Sequence, residues 1–207
     1  MKTLIGVLSQ IAVFALLLFS MNAAGADSPL TIIQSAVQRT LGVLHNPSLQ
    51  GAEHRRERLE KAEDTILLHF DVQDFSRKAL GPYWSQRTPA EQQDLVQLLT
   101  TLLARAYIED IDRDAKDVKV FYDKERVDGT DAEVDTRVVA AADRRPVSVR
   151  YMLHQVNGHW LIYDVQVDNV SMALNSRSQF DDVLNMSSYA ELIQRIRPKL
   201  QKLGGTA

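Results

Sequence analysis

The chain has 207 residues, 24 Lys+Arg against 27 Asp+Glu, and no Cys; 45% of it is apolar and 25% charged. These ordinary globular proportions exclude a collagen-like, low-complexity or wholly disordered chain. The absence of cysteine excludes disulfides, thiolate chemistry and Cys-based metal sites, and a net charge of −3 gives no global attraction to nucleic acid or anionic lipid.

Residues 1–26 read as a cleaved signal peptide. Lys2 is their only charge, an apolar run from Ile11 to Phe19 follows, and Ala24-Gly25-Ala26 supplies a small-x-small site that places the cut after Ala26. The apolar run is shorter than the roughly 20 residues that a membrane span needs. Export of a cysteine-free chain points to the periplasm, where a stray thiol would be oxidised. Residues 27–207 then form one α+β domain, helical over 28–112, sheet over 116–170, and helical again over 174–203.

In the first helix Ser28-Pro29 is an N-cap and N1 pair, and Leu30, Ile33, Val37, Leu41 and Leu44 recur at helical spacing. Glu53 to Phe70 is the second helix. Its Arg55, Arg56 and Arg58 read either as a solvated face, because acids are interleaved, or as a docking surface shared with Arg144 and Arg145. Asp71 to Leu80 is a short helix closed by Gly81-Pro82. Thr88-Pro89-Ala90-Glu91 is a capping box that opens a long helix to about Ile111. From Leu95 to Ile108 that helix is apolar around most of its circumference, so it must be covered on two sides, by protein or by an apolar ligand.

Four strands follow: Lys116 to Tyr122, Ala132 to Ala141, Val147 to Val156 and His159 to Val167. Short connections make them an antiparallel meander. Asn157-Gly158 is a two-residue hairpin turn that sets Val156 opposite His159, Gln155 opposite Trp160 and Leu153 opposite Ile162. One face then carries Val149, Tyr151, Leu153, Trp160 and Ile162. Val165 and Val167 fall on the other face, unless a bulge near Tyr163-Asp164 resets the alternation. Helices over Asn175–Met186 and Ser188–Leu203 end the chain, the last kinked or shortened by Pro198.

Catalytic motifs are missing: there is no phosphate loop, G-x-S-x-G or H-E-x-x-H. His154 and His159 lie diagonally on one sheet face with no carboxylate placed to complete a metal site. Asp164, in an apolar strand, is either a general base working with His159 or a carboxylate that satisfies backbone amides. The residues themselves reach an exported binding protein for something apolar.

Two ordered sets carry the reading further. The first is Asp74-Phe75, Ala79-Leu80-Gly81, Trp84 and Thr88-Pro89-Ala90-Glu91-Gln92 through Tyr107. The second is Tyr151, Gly158-His159-Trp160, Tyr163-Asp164-Val165, Val170-Ser171 and Arg177-Ser178-Gln179-Phe180. Together they resemble the MlaC family, periplasmic phospholipid-binding proteins of the maintenance-of-lipid-asymmetry pathway, also called toluene-tolerance proteins. The chain departs at Leu95 and Leu99, where the family often has Phe, and at Ser176, where it often has Tyr.

The resemblance implies that these four antiparallel strands form a twisted sheet packed on a multi-helix layer, with an apolar lipid pocket between them. It also implies a shuttle that carries phospholipid between an outer-membrane lipoprotein complex and an inner-membrane ABC transporter with its substrate-binding ring. Phospholipid would be cargo, with no cofactor, metal, nucleic acid or catalysis. The alternatives are a hopanoid or other lipid carrier of the same family, and an exported enzyme on a similar fold. Pocket candidates on the helices are Phe75, Leu80, Leu99, Leu103 and Tyr107. On the sheet they are Val149, Tyr151, Trp160, Ile162 and Val165. Each is either wall or plain core.

Overall fold

The computed structural model describes residues 27–114, 118–139 and 145–202; the expected signal peptide lies outside them. Helix α1 spans Pro29–Leu44, and the Ser28 hydroxyl caps it by accepting from the Thr31 amide. A 3-10 turn at Pro47–Leu49 leads to α2, Arg55–Leu67. The second helix is shorter than its expected span because its last residues leave to join the sheet. The Ile162 amide donates to the His69 carbonyl (2.7 Å), and the Asp71 amide donates to the Ile162 carbonyl (2.8 Å). Asp71 also caps α3, Val72–Leu80, by accepting from the Asp74 amide. Gly81 closes α3 at φ +56, where a Cβ would run into Arg177.

After a 3-10 stretch at Gly81–Gln86 comes α4, Pro89–Asp114. At 26 residues it is about 39 Å long. Its capping box forms as the sequence predicts: the Thr88 amide and hydroxyl donate to Glu91 Oε2, and the Glu91 amide donates back to the Thr88 hydroxyl. Helices α5 (Met172–Leu184) and α6 (Tyr189–Lys202) end the described chain. The last helix continues through Pro198, which lies on its exposed side, where water can reach the carbonyl that the proline leaves without a donor.

Among the described residues the sheet is an antiparallel meander of five strands in the order β1-β2-β3-β4-β5, not four. They are β1 Lys119–Asp128, β2 Asp131–Val139, β3 Val147–Val156, β4 His159–Val167 and β5 Val170–Ser171. The fifth strand is two residues long and follows a turn in which Asp168 and Asn169 take positive φ. A strand this short has no alternation for a sequence to display. The first strand starts later than expected and runs six residues further. Its Asp123 and Arg126 are held by ion pairs to Arg137, Glu133 and Asp135 across the solvent face. Charge there masks a strand that pairs with β2 along its length except at Asp123, where the register shifts.

The β3–β4 register is the one Asn157-Gly158 dictates, with Leu153 opposite Ile162. Asn157 and Gly158 both take the positive φ of a type I′ turn. Met152 then faces Asp164, so Tyr163 is the extra residue of a bulge. That bulge returns Val165 and Val167 to the face of Tyr151 and Val149, their register partners.

The helices divide the interior. Phe75, Ala79 and Leu80 of α3, Leu95, Leu98 and Leu99 of α4, Phe180 of α5 and Leu192, Ile196 and Leu200 of α6 form one packed core. A second core joins Ile33 of α1 to Ala132, Val134, Leu153, Trp160, Ile162 and Val165 of the sheet. A third ties α1, α2 and α4 through Leu44, Leu59, Ala62 and Ile108.

Candidate functional site

Between α1, α2, the second half of α4 and the inner face of the sheet lies a cavity of about 360 Å³. Its helical wall is Ile33, Ala36, Val37, Thr40 and Leu41 of α1, Ile66 and Leu67 of α2, and Leu103, Ala104 and Ile111 of α4. Phe70 and Val72 close one side. The sheet contributes Val120, Val138, Val147, Val149, Tyr151, Ile162, Val165 and Val167, and Val118, just before β1, and Met172 complete the lining. The sheet wall is rich in valine because β-branched side chains suit a pleated surface.

Among the described residues Thr40 and Tyr151 are the only polar side chains in this lining. Both belong to local hydroxyl networks. The Thr65 hydroxyl donates to the Ala62 carbonyl (2.7 Å), so Thr40, 3.0 Å away, is left to donate to Thr65. Tyr151 lies beside Thr136, whose hydroxyl donates to the Val149 carbonyl (3.0 Å). Burial, helped by the neighbouring Tyr122, pushes the Tyr151 phenol up to about 12. Among the described residues no charged side chain lines this space, which suits an apolar occupant.

Polar ties hold the frame open from outside. The Arg58 guanidinium makes a two-pronged contact with Asp112 (2.8 and 3.0 Å) and donates to the Leu49 carbonyl (2.6 Å), locking α2 to α4. Glu125 accepts from the Leu30 amide in the first turn of α1 (2.7 Å). His154 Nε2 lies 3.0 Å from Asp71 Oδ2, which pins the start of α3 to the sheet.

Of the ten residues the sequence singles out, Leu103, Val149, Tyr151, Ile162 and Val165 line the cavity. Phe75, Leu80 and Leu99 do not: at 0%, 0% and 1% exposure they are packed beneath α5 and α6. Trp160 is core as well, beside Leu153 and Ile33. The side chain of Tyr107 lies outside the described residues. Leu95 and Leu99, where the chain departs from the family pattern, are both in the packed core, so those departures leave the cavity walls untouched. The α1 and α2 wall was missed. Its signal, Ile33, Val37 and Leu41 at four-residue spacing, is visible in the sequence, but any core-facing helix would show it.

The other sequence candidates resolve as structure. Asp164 Oδ1 accepts from the amides of Val165 (2.9 Å) and Ala173 (3.1 Å), and Oδ2 accepts from the Ser171 hydroxyl (2.5 Å). Ser171 in turn caps α5. This carboxylate organises the β4–α5 junction, while His159 is exposed at the hairpin. Arg58 is buried, not a docking surface; Arg144 lies outside the described residues. No group of three His, Asp or Glu among the described residues could hold a metal ion.

The chain is thus an α+β helix-on-sheet protein with an internal aliphatic cavity. It belongs to the MlaC family: the family described as "MlaC protein" matches residues 34–198. Among solved structures it is similar to the phospholipid-binding protein from Ralstonia solanacearum, determined in complex with a phospholipid. That likeness has a TM-score of 0.72 at 24% identity and covers 84% of this chain and 97% of that one. A de novo designed protein with a curved β-sheet overlaps 31% of the chain and 59% of its own at 19% identity and a TM-score of 0.26, too little to carry an argument. No curated protein matches the chain.

Proposed function

We propose that this protein is a periplasmic phospholipid carrier, exported by residues 1–26, that moves lipid between the outer membrane and an inner-membrane ABC transporter. The observation that carries the reading is the aliphatic cavity between sheet and helices in a chain of this family. The phospholipid held by the Ralstonia solanacearum protein supports the same choice of cargo. The reading involves no covalent step, metal or cofactor. Asp164, whose oxygens already serve two amides and a hydroxyl, is fitted to structure and not to proton transfer.

The physics gives such a carrier its purpose. Two long acyl chains hold about 30 methylenes, each worth roughly 0.8 kcal/mol away from water. Their gross desolvation is on the order of 24 kcal/mol, so unassisted desorption is very slow. A pocket that replaces most of those contacts lets the chains cross an aqueous gap. Weak polar anchoring keeps the lipid from being held more tightly than a bilayer holds it.

The test is gentle, detergent-free purification of the mature protein, followed by solvent extraction and lipid mass spectrometry. Phospholipid in substoichiometric to one-to-one amount is expected. Protein that is lipid-free and takes up none from vesicles overturns the reading; recovery of a hopanoid in its place redirects it within the family.

A further inference from the structure

The cavity has a boundary that the sheet register locates. On β3 its lining includes Val147, Val149 and Tyr151 but stops before Leu153. On β4 it includes Val167, Val165 and Ile162 but stops before Trp160. Beyond that line Leu153, Ala132 and Trp160 are buried in one core with Ile33, and Val134, beside Tyr151, is buried with them. From Val147 to Tyr151 the open trough runs about 13 Å along the strand; the Tyr151 ring stands at its β3 end, while on β4 the lining continues one pair further, to Ile162 beside Phe70.

We infer that Tyr151 is the floor of the cavity and sets the length of acyl chain the protein accepts, an inference that rests on the carrier reading above. Tyr151 faces Val134 on one side and Val165 on the other and packs against the filled core behind it. An aromatic ring suits such a stop, because it has two side-chain torsions and a large rigid surface. The neighbouring hydroxyls of Thr136 and Tyr122 flank its polar end, so the ring cannot swing aside without disturbing them. A chain that reaches the ring must leave further methylenes outside the cavity. Each one excluded disfavours binding relative to the bilayer by about fourfold.

The experiment loads the mature protein from vesicles of phosphatidylethanolamines graded in length from myristoyl to arachidoyl and reads the bound species by mass spectrometry. Tyr151→Ala should shift bound lipid toward longer chains, with the long-to-short ratio rising about fourfold for each methylene newly admitted. Tyr151→Phe keeps the ring and should leave the distribution unchanged. Ala36→Leu, which adds volume inside the same space, should shift it toward shorter chains, and it carries the test alone if Tyr151→Ala fails to fold. Met186→Ala, on the exposed surface and outside the lining, should not change chain length. A distribution identical to wild type in every folded variant overturns the floor while leaving the carrier intact. A shift in Tyr151→Phe matching that of Tyr151→Ala overturns it too, since the hydroxyl and not the ring would then be selecting. Wild-type protein that loads no lipid removes both readings.

Discussion

Both halves of α4 carry aliphatic side chains toward the interior, and these meet opposite fates. Leu95, Leu98 and Leu99 are sealed against α3 and α6, with Phe75 and Phe180 filling the space between them. One turn further, Leu103, Ala104 and Ile111 border open volume. Aliphatic richness therefore does not distinguish a core from a cavity. The difference lies in what faces the helix. The first half meets three helices that can approach until their side chains interlock. The second half meets a sheet and two helices held at fixed spacing by Arg58–Asp112, Glu125–Leu30 and Asp71–His154.

Substitutions that give opposite signatures on the two sides break or sharpen this comparison. The largest effect is expected at Phe75→Ala, which should cost about 3–5 kcal/mol in denaturant unfolding. Bound lipid per folded molecule should stay the same; a matching loss of lipid would make Phe75 part of the binding wall. Next comes the frame. Arg58→Ala takes away the two-pronged partner of the Asp112 carboxylate and leaves it the longer pair with Arg55 (4.0 Å), and about 3 kcal/mol should be lost. Because the lock between α2 and α4 goes with it, lipid retention should fall as well, a joint loss that distinguishes frame from core.

Third is the wall. Leu103→Ala and Val149→Ala remove atoms that border empty space, so their cost should stay below the ~2 kcal/mol floor for packed leucine, while lipid occupancy falls markedly. Melting temperature and bound lipid measured on the same samples decide each position. The smallest effect is titration. Tyr151 and Tyr189 are both pushed up to about 12 from an ordinary value of 10.0, chiefly by burial. The folded state holds those protons more tightly than the unfolded one. Their contribution is complete below pH 10.0 and is lost as pH rises through about 12. Thermal scans across that window should show a shallower decline in Tyr151→Phe than in wild type.

Much of this architecture is legible in the sequence where a local rule dictates geometry. Ser28-Pro29, Thr88 to Glu91 and Asn157-Gly158 each fix backbone without help from distant residues. The two-sided burial of α4 follows from its periodicity alone. Reading fails where the outcome depends on spacing between elements. Phe75, Leu80 and Leu99 have the chemistry of a pocket wall, and only the approach of α5 and α6 makes them solid core. Charge on Asp123 to Arg126 hides the second half of β1, because side-chain polarity reports solvent and not backbone pairing. The break at the end of α2 is likewise invisible, since the bridge that causes it reaches Ile162 in a distant strand.

The bulge at Tyr163 stores part of the cavity as a count, not as chemistry. Between the Asn157-Gly158 turn and the bulge, β4 is in phase with the hairpin; beyond it, β4 is in phase with the cavity. Removing Tyr163 would alter no lining residue, yet it would turn Val165 and Val167 to the opposite face in one step. Two chains could match at every wall position and still enclose different spaces if they differ by this one residue. In this strand parity, as much as side-chain identity, is what a lineage must preserve.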